Sequence, residues 1–378
     1  MDKVTVEAAA RRAISPLKSV NTDVGIFWGD RTDAGRSLPP YYLVYFLLVD
    51  LLGFKNLGQE EKVAWSVPVE FEGHKLVIEH RKLGLGIFAA NLPADEAPAT
   101  EVAKRIHAGV KAAEPYFDFL AASAANGSNL NVENNSRELY ERYTFFAALY
   151  ESKQAEAEAR KDEKMRTEYE NGYSISFPSF ELRREARWHA VSAIEAFFSW
   201  TEHMFIHLAI IQGRLTTGEA VARMAEAQWN EKFKASLDLS NVGTKGFYDR
   251  LLVLRRRVRN FVAHGAFGKD GQAFSFHSRV GAVPLLLPHR RDKDSFRFGN
   301  GVDFVAPDAL ALVYDFIAHL WSGDLAPAKI YIQESGLPLI LTQALDGTYA
   351  RAMASEDDMT EFTNYQSRMF DDAANMDW

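Results

Sequence analysis

The segment 247–268, FYDRLLVLRRRVRNFVAHGAFG, constrains the fold of this chain more than any other stretch. Its apolar residues recur at steps of three, four and one, the spacing of one face of an amphipathic helix. These residues are Phe247, Leu251, Leu254, Val258, Phe261 and Val262. Gly265 is the residue type that commonly ends a helix in a left-handed turn. The pattern predicts a helix with His264 in its last turn and an apolar face that other helices must cover.

The same segment carries a dense group of positive charges. Its arginines are Arg250, Arg255, Arg256, Arg257 and Arg259. The planar guanidinium group binds phosphate oxygens in pairs and stabilises charge that develops on them. Histidine can donate or accept a proton near neutral pH because its unperturbed pKa is close to that range. The end of the predicted helix is therefore suited to binding a phosphate and moving a proton beside it.

The sequence from Arg259 through Asn260 to His264 resembles the signature of the HEPN family, an arginine and a histidine separated by a few residues with an Asn directly after the Arg. Members of that family are all-helical domains, and many are metal-independent endoribonucleases whose site is shared across a two-fold dimer. The resemblance implies that Arg259, Asn260 and His264 are catalytic. It also implies a supporting acid on an earlier helix, and Glu195 stands in the middle of the predicted helix 181–213.

Two further arginines, Arg256 and Arg257, are predicted to support the site or to bind substrate. At roughly 100° per residue, Asn260 and Arg257 project from nearly the same side of the helix as His264. Arg259 projects about 140° away from His264. The resemblance favours Arg259 as the phosphate ligand and helical projection favours Arg257, so both assignments stay open at this stage.

The whole chain is predicted to be α+β, with an N-terminal α+β module in residues 1–95. Short β-branched and aromatic runs between residues 64 and 90 predict an antiparallel meander of three strands. Two prolines in the stretch 92–100 indicate a linker or a domain edge. Residues 96–175 are predicted as a helical connector whose second helix runs from residue 137 toward residue 169.

Residues 176–325 are predicted as a mainly α-helical, HEPN-like bundle with a β-hairpin insertion after His264. The remaining residues, 326–378, form a C-terminal extension in which the run KIYIQ is strand-like and the last stretch is acidic. That acidic stretch is expected to be an ordered arm or a flexible tail.

Composition limits the classes of function. The absence of cysteine excludes disulfides, thiolate zinc sites and cysteine nucleophiles, and it fits a reducing cytosol. A formal net charge of -8 argues against constitutive, high-affinity nucleic-acid binding and leaves RNA contact to a local basic patch. No apolar run is long enough for a signal peptide or a membrane span, so we expect a cytoplasmic protein without membrane contact. His203 and His207 stand four residues apart, a spacing that can hold a metal, but two histidines along a half-buried helix face are the favoured interpretation.

We therefore expect a metal-independent endoribonuclease that cleaves RNA by attack of the 2′-hydroxyl. It is expected to act as a homodimer in a toxin or phage-defence role, without a cofactor. The N-terminal module is expected to bind a regulatory ligand or protein. The alternative is a non-catalytic HEPN-like dimerisation or regulatory protein that binds RNA or an acidic partner through the arginine face.

Overall fold

The computed structural model describes residues 2–20, 29–264, 274–286, 297–298 and 305–376. The chain divides into two compact units, one comprising Met1–Gly127 with Asn364–Trp378 and the other comprising Ser128–Thr363. The segment 96–175, predicted as one connector, is divided between the units after Gly127. The segment 326–378, predicted as one extension, is divided after Thr363.

The first unit contains a five-stranded antiparallel sheet in the order β1-β3-β4-β5-β2. Its strands are β1 (Lys18–Ser19), β2 (Asp30–Arg31), β3 (Val63–Phe71), β4 (His74–Arg81) and β5 (Gly84–Ala89). Glu72 and Gly73 join β3 to β4, and both have positive φ values, 51° and 88°. Two left-handed residues form the turn whose twist matches that of paired strands, and a glycine accepts this conformation without strain. The predicted three-strand meander is confirmed.

The helices of the first unit share one hydrophobic core with this sheet. They are α1 (Lys3–Ile14), α2 (Tyr41–Tyr45), which continues as a π-helical turn at Phe46–Leu51, α3 (Leu92–Ala112) and α4 (Glu114–Asn126). The predicted linker or domain edge at 92–100 is wrong, because α3 begins at Leu92 and lies within the first unit. Pro93 lies in the first turn, where no backbone hydrogen bond is lost. Farther along α3, Pro98 removes one backbone hydrogen bond of the helix. Burial of Ala99, Val102 and Ile106 offsets this loss.

The second unit is mainly helical. Its helices are α5 (Ser136–Ala159), α6 (Pro178–Ile211), α7 (Gly218–Glu226), α8 (Trp229–Ser236), α9 (Val242–His264), α10 (Ala306–Leu320), α11 (Ala326–Lys329), α12 (Leu341–Leu345), α13 (Thr348–Ala352) and the first part of α14 (Glu356–Asn375). The core forms around α6, where Phe197, Trp200 and Phe205 are completely buried. The indole N–H of Trp200 donates to Ser136 Oγ and Gln333 Oε1, both at 3.0 Å. A buried Trp therefore satisfies its polar atom while its ring fills the centre of the bundle.

Short strands accompany these helices. They are β6 (Asn131–Val132), β7 (Met165–Tyr169), β8 (Gly172–Ser176), β9 (Phe274–Ser278), β10 (Gly281–Leu286), β11 (Arg297–Phe298) and β12 (Leu339–Ile340). Strands β9 and β10 form an antiparallel hairpin, and β11 pairs with β10. The predicted β-hairpin insertion after α9 is confirmed.

The prediction of one helix from residue 137 toward residue 169 is wrong. Helix α5 ends at Ala159, and the chain then forms the β7–β8 hairpin around a two-residue turn. The sequence there has no helical apolar stripe. Thr167, Tyr169, Tyr173 and Ile175 are residue types that favour strands, and they flank the turn.

The strand prediction for KIYIQ is also wrong. Helix α11 continues into a π-helical turn at Ile330–Ser335, and Gly336 follows with a left-handed φ of 68°. Consecutive Tyr331 and Ile332 are both fully buried. A strand that alternates between two faces buries every second residue, whereas this helical turn buries three consecutive residues, Tyr331, Ile332 and Gln333. The acidic stretch near the C-terminus is ordered as α14, and no helix of the described residues is long and apolar enough to cross a membrane.

Candidate functional site

Helix α9 is fixed against the core by one apolar face. Leu251, Leu254 and Val258 are at most 5% exposed and belong to the same buried cluster as α6 and α10. Because residues three and four apart share a helix face, this stripe directs the intervening arginines to the two flanks of α9. One flank faces α6 and the other faces α10.

The α6 flank contains a cleft of about 360 Å³, which we call the α6–α9 cleft. Its polar lining residues are Glu195, Ser199, Glu202, Arg255 and Arg259. Two residues assigned from the HEPN resemblance, Arg259 and Glu195, therefore line the same cleft. Both side chains are exposed. No ion pair joins Glu195 to Arg259 or Arg257 in the part of the chain that the structure describes.

Glu202 joins three helices at the base of this cleft. Its carboxylate accepts hydrogen bonds from Lys232 Nζ of α8 at 3.0 Å and from the Arg255 guanidinium of α9 at 2.5 Å. The Lys232 side chain is only 6% exposed, so Glu202 compensates a charge that water does not reach. Sequence reasoning missed Glu202. The available signal was its spacing from Glu195 and Ser199, which places three polar residues along one face of the more apolar half of α6.

Arg255 is held in place from several sides. Its guanidinium lies 5.8 Å from the ring centroids of Phe198 and Trp229 in addition to its bond to Glu202. Burial lowers the pKa of Arg255, the Glu202 carboxylate opposes that shift, and the charge of Arg259 adds to it. The guanidinium stays protonated nevertheless. Arg255 thus has a carboxylate partner, whereas Arg259 stands nearby with no carboxylate bound to it among the described residues.

The α10 flank contains the other predicted arginine. A cleft of about 430 Å³ between α9 and α10 is lined by Arg250 and Arg257 together with Asp249 and Asp308. The structure thus separates Arg257 from Arg259, because they line clefts on opposite flanks of α9. Arg256 is exposed and lines neither cleft.

The remaining predicted residues stand at the end of α9. The backbone of Asn260 and His264 is helical, and His264 is the last residue of α9, as predicted. The side chains of Asn260 and His264 lie outside the described part of the structure, as does Gly265. The predicted distances between these side chains and Arg259 stay predictions.

His203 and His207 are engaged with the backbone. His203 Nε2 accepts from the N–H of Asn135 at 2.9 Å, and the two ring nitrogens of His207 each lie 2.9 Å from a carbonyl oxygen, of His203 and of Glu133. The carbonyl oxygens occupy the positions from which a metal would approach the two ring nitrogens of His207. Burial lowers the pKa of His203 to about 3, and His207 beside it adds to the shift. Burial also lowers the pKa of His207, against the effect of the two carbonyl groups. The pair holds the loop before α5 against α6.

Compared with models of protein families, with curated proteins and with solved structures, the chain shows no match.

The Glu202 junction predicts a loss of stability on neutralisation. In Glu202→Gln, Lys232 and Arg255 keep their charges without a carboxylate, and we expect the free energy of unfolding to fall by about 1–3 kcal/mol, since the site is partly solvated. Urea denaturation of the full chain measures this change. Glu219→Gln is the matched control, because Glu219 pairs with Arg223 on an exposed helix face, where we expect a change below about 0.5 kcal/mol. Equal effects of the two variants would contradict the assigned role of Glu202.

The buried histidines predict a dependence of stability on pH. The folded pKa of His203, about 3, lies below the unfolded value near 6.5, so the unfolded chain binds more protons between these values. Stability from this group is complete above about pH 6.5 and is lost as the pH falls, by up to about 1.4 kcal/mol per pH unit. His203→Gln keeps an acceptor for the Asn135 N–H but does not titrate. Urea midpoints between pH 7 and pH 4 should fall less steeply for this variant than for the wild type. Identical slopes would show that His203 is not the group responsible.

Proposed function

We propose that this chain is a metal-independent endoribonuclease of the HEPN type, with Arg259, Asn260 and His264 as its catalytic residues. The observation that carries this proposal is the lining of the α6–α9 cleft. Arg259, on the helix that ends at His264, lines this cleft together with Glu195 of α6. This arrangement of an arginine, a helix-terminal histidine and an acid on an earlier helix is the one that the resemblance implies.

The proposed reaction is transesterification by the substrate's own 2′-hydroxyl. A base removes the 2′ proton, the 2′ oxygen attacks phosphorus, and the bond from phosphorus to the 5′ oxygen breaks. An acid then protonates the leaving 5′ oxygen, which gives 2′,3′-cyclic phosphate and 5′-hydroxyl ends. His264 can serve as base or acid, and a two-fold dimer would supply a second histidine for the other role. Arg259 stabilises the charge on the phosphorane, so the scheme requires no metal or cofactor.

The position of Glu195 supports Arg259 over Arg257 as the phosphate ligand, because Glu195 lines the cleft of Arg259 and does not line that of Arg257. In the α6–α9 cleft, Glu202 is already bonded to Arg255 and Lys232, which leaves Arg259 available for an anion. Arg257 lines the other cleft with Arg250, Asp249 and Asp308, so each cleft contains two arginines and two carboxylates. Glu195 is a supporting residue that would orient Arg259 or the 2′-hydroxyl. Arg256 would contact the RNA backbone beside the cleft.

The proposal also includes a cellular role and its regulation. An unregulated RNA-cutting enzyme is toxic to the cell that makes it, so we propose a cytoplasmic toxin or phage-defence role under control of the first unit. A regulatory ligand or protein would bind that unit. The net charge of -8 fits an enzyme that takes RNA into a small local cleft and releases it, rather than a protein that coats nucleic acid.

One observation favours a second candidate function. The charges of the α6–α9 cleft balance, with Glu195 and Glu202 against Arg255 and Arg259. A balanced cleft also suits a non-catalytic HEPN-like dimerisation or regulatory protein that binds RNA or an acidic partner without cutting. In that case His264→Ala would leave function unchanged, and removal of charge between Arg255 and Arg259 would weaken the complex.

The two arginine clefts provide a matched pair of variants. In EDTA, on single-stranded RNA and mixed tRNA, we expect Arg259→Ala to reduce cleavage by about 100-fold or more, because it removes a transition-state donor. Arg257→Ala, on the opposite flank of the same helix, should stay within about threefold of wild type. His264→Ala should reduce cleavage by about 100-fold or more. Circular dichroism checks that each variant is folded.

If Arg257→Ala reduced cleavage more than Arg259→Ala did, Arg257 would be the phosphate ligand. Cleavage by all three variants at the wild-type rate would contradict the catalytic proposal.

A further inference from the structure

The β7–β8 hairpin is unusual in this fold because nothing described covers it. Every residue of β7 and β8 is exposed, and the two strands pair only with each other among the strands that the structure describes. Met165, Tyr169, Tyr173 and Ile175 are 49–63% exposed. An isolated two-stranded hairpin is marginally stable in water, and an open strand edge is a template for another strand.

The register shows which backbone groups are unpaired. Tyr169 pairs with Gly172 across a two-residue turn, and Thr167 pairs with Ser174. The pair that flanks such a turn is hydrogen-bonded, and hydrogen-bonded pairs then alternate along an antiparallel ladder. The N–H and C=O groups of Tyr169, Thr167 and Met165 therefore point toward β8. Those of Arg166 and Glu168 point toward the open outer edge of β7.

We propose that β7 pairs antiparallel with β7 of a second copy of this chain, about a two-fold axis at Thr167, to form a four-stranded sheet. In this register the outward backbone groups of Arg166 meet those of the partner's Glu168, and the reverse pair forms on the other side of the axis. Thr167 lies opposite the partner's Thr167 in a non-hydrogen-bonded pair. Met165 lies opposite the partner's Tyr169, which covers two exposed apolar side chains.

Charge complementarity favours a second copy as the occupant. Arg166 and Glu168 lie on one face of β7, where their side chains are 59% and 75% exposed and 3.0 Å apart. Two-fold pairing at Thr167 sets each Arg166 directly across from the partner's Glu168, so both charged cross-strand pairs have opposite signs. A pairing shifted by two residues would set Arg166 across from the partner's Arg166 or Glu168 across from the partner's Glu168. The sequence of β7 is thus complementary to itself in this one register.

This contact does not depend on the proposed ribonuclease activity. The hairpin directly precedes α6, and Glu195 is about 25 Å along that helix from its first residue, Pro178. The hairpin and the α6–α9 cleft are therefore different surfaces of the second unit. The tests below change residues of the hairpin itself and do not measure cleavage, so either proposal can fail alone.

The absence of cysteine from the chain allows a direct test by cross-linking. In a non-hydrogen-bonded antiparallel pair the Cα atoms lie about 4.5 Å apart, within the span of a disulfide. Under mild oxidation at micromolar concentration, purified Thr167→Cys should form a covalent dimer on a non-reducing gel. Ser174→Cys, on the same face of the hairpin but on β8, is the matched control and should cross-link at least about tenfold more slowly. Equal rates, or faster cross-linking by Ser174→Cys, would overturn pairing through β7.

Charge reversal provides the second test. Glu168→Arg sets like charges opposite each other, and we expect the dissociation constant for self-association, measured by sedimentation equilibrium, to rise by about tenfold. The double variant Arg166→Glu with Glu168→Arg restores opposite charges and should return the constant to within about threefold of wild type. A double variant as weak as the single variant, or a single variant with no effect, would refute the proposed register.

Discussion

The arrangement of α6, α8 and α9 in the second unit depends on the ion pairs of Glu202. This carboxylate of α6 reaches Lys232 of α8 and Arg255 of α9, and so ties the helix that bears the HEPN-like signature to the centre of the bundle. The bond to Arg255 acts together with the buried stripe of Leu251, Leu254 and Val258, and the two fix the rotation of α9 about its own axis. That rotation decides which arginines face α6 and which face α10. The position of Arg259 in the same cleft as Glu195 follows from it.

Much of the fold was predictable from local sequence. The meander of the first unit follows from β-branched runs separated by turn residues, and helices α6 and α9 follow from their apolar periodicity. Predictions failed where two patterns compete over a few residues. The run KIYIQ alternates like a strand, but Gly336 ends it as a helical turn. Residues 92–100 contain two prolines, but buried alanine and valine residues beyond them keep α3 continuous.

The candidate site was predictable only in part. The signature residues could be found because they are close in sequence, and the structure places Arg259 beside Glu195 in one cleft. Glu202 could not be assigned, since its role arises from contacts with residues 30 and 53 positions away. The choice between Arg257 and Arg259 could not be made either. The choice depends on which helix covers each flank of α9, and the sequence of α9 alone does not determine this.

The most direct test of the proposed function uses the wild-type protein with two matched oligonucleotides in EDTA. One is an RNA that the protein is found to cut, and the other carries a 2′-O-methyl group at the cut linkage only. We expect the RNA to be cleaved to a 2′,3′-cyclic phosphate and the methylated linkage to stay intact, because the proposed nucleophile is the 2′-hydroxyl. Cleavage of the methylated linkage, or a failure to cut any RNA until a divalent metal is supplied, would contradict the proposed function.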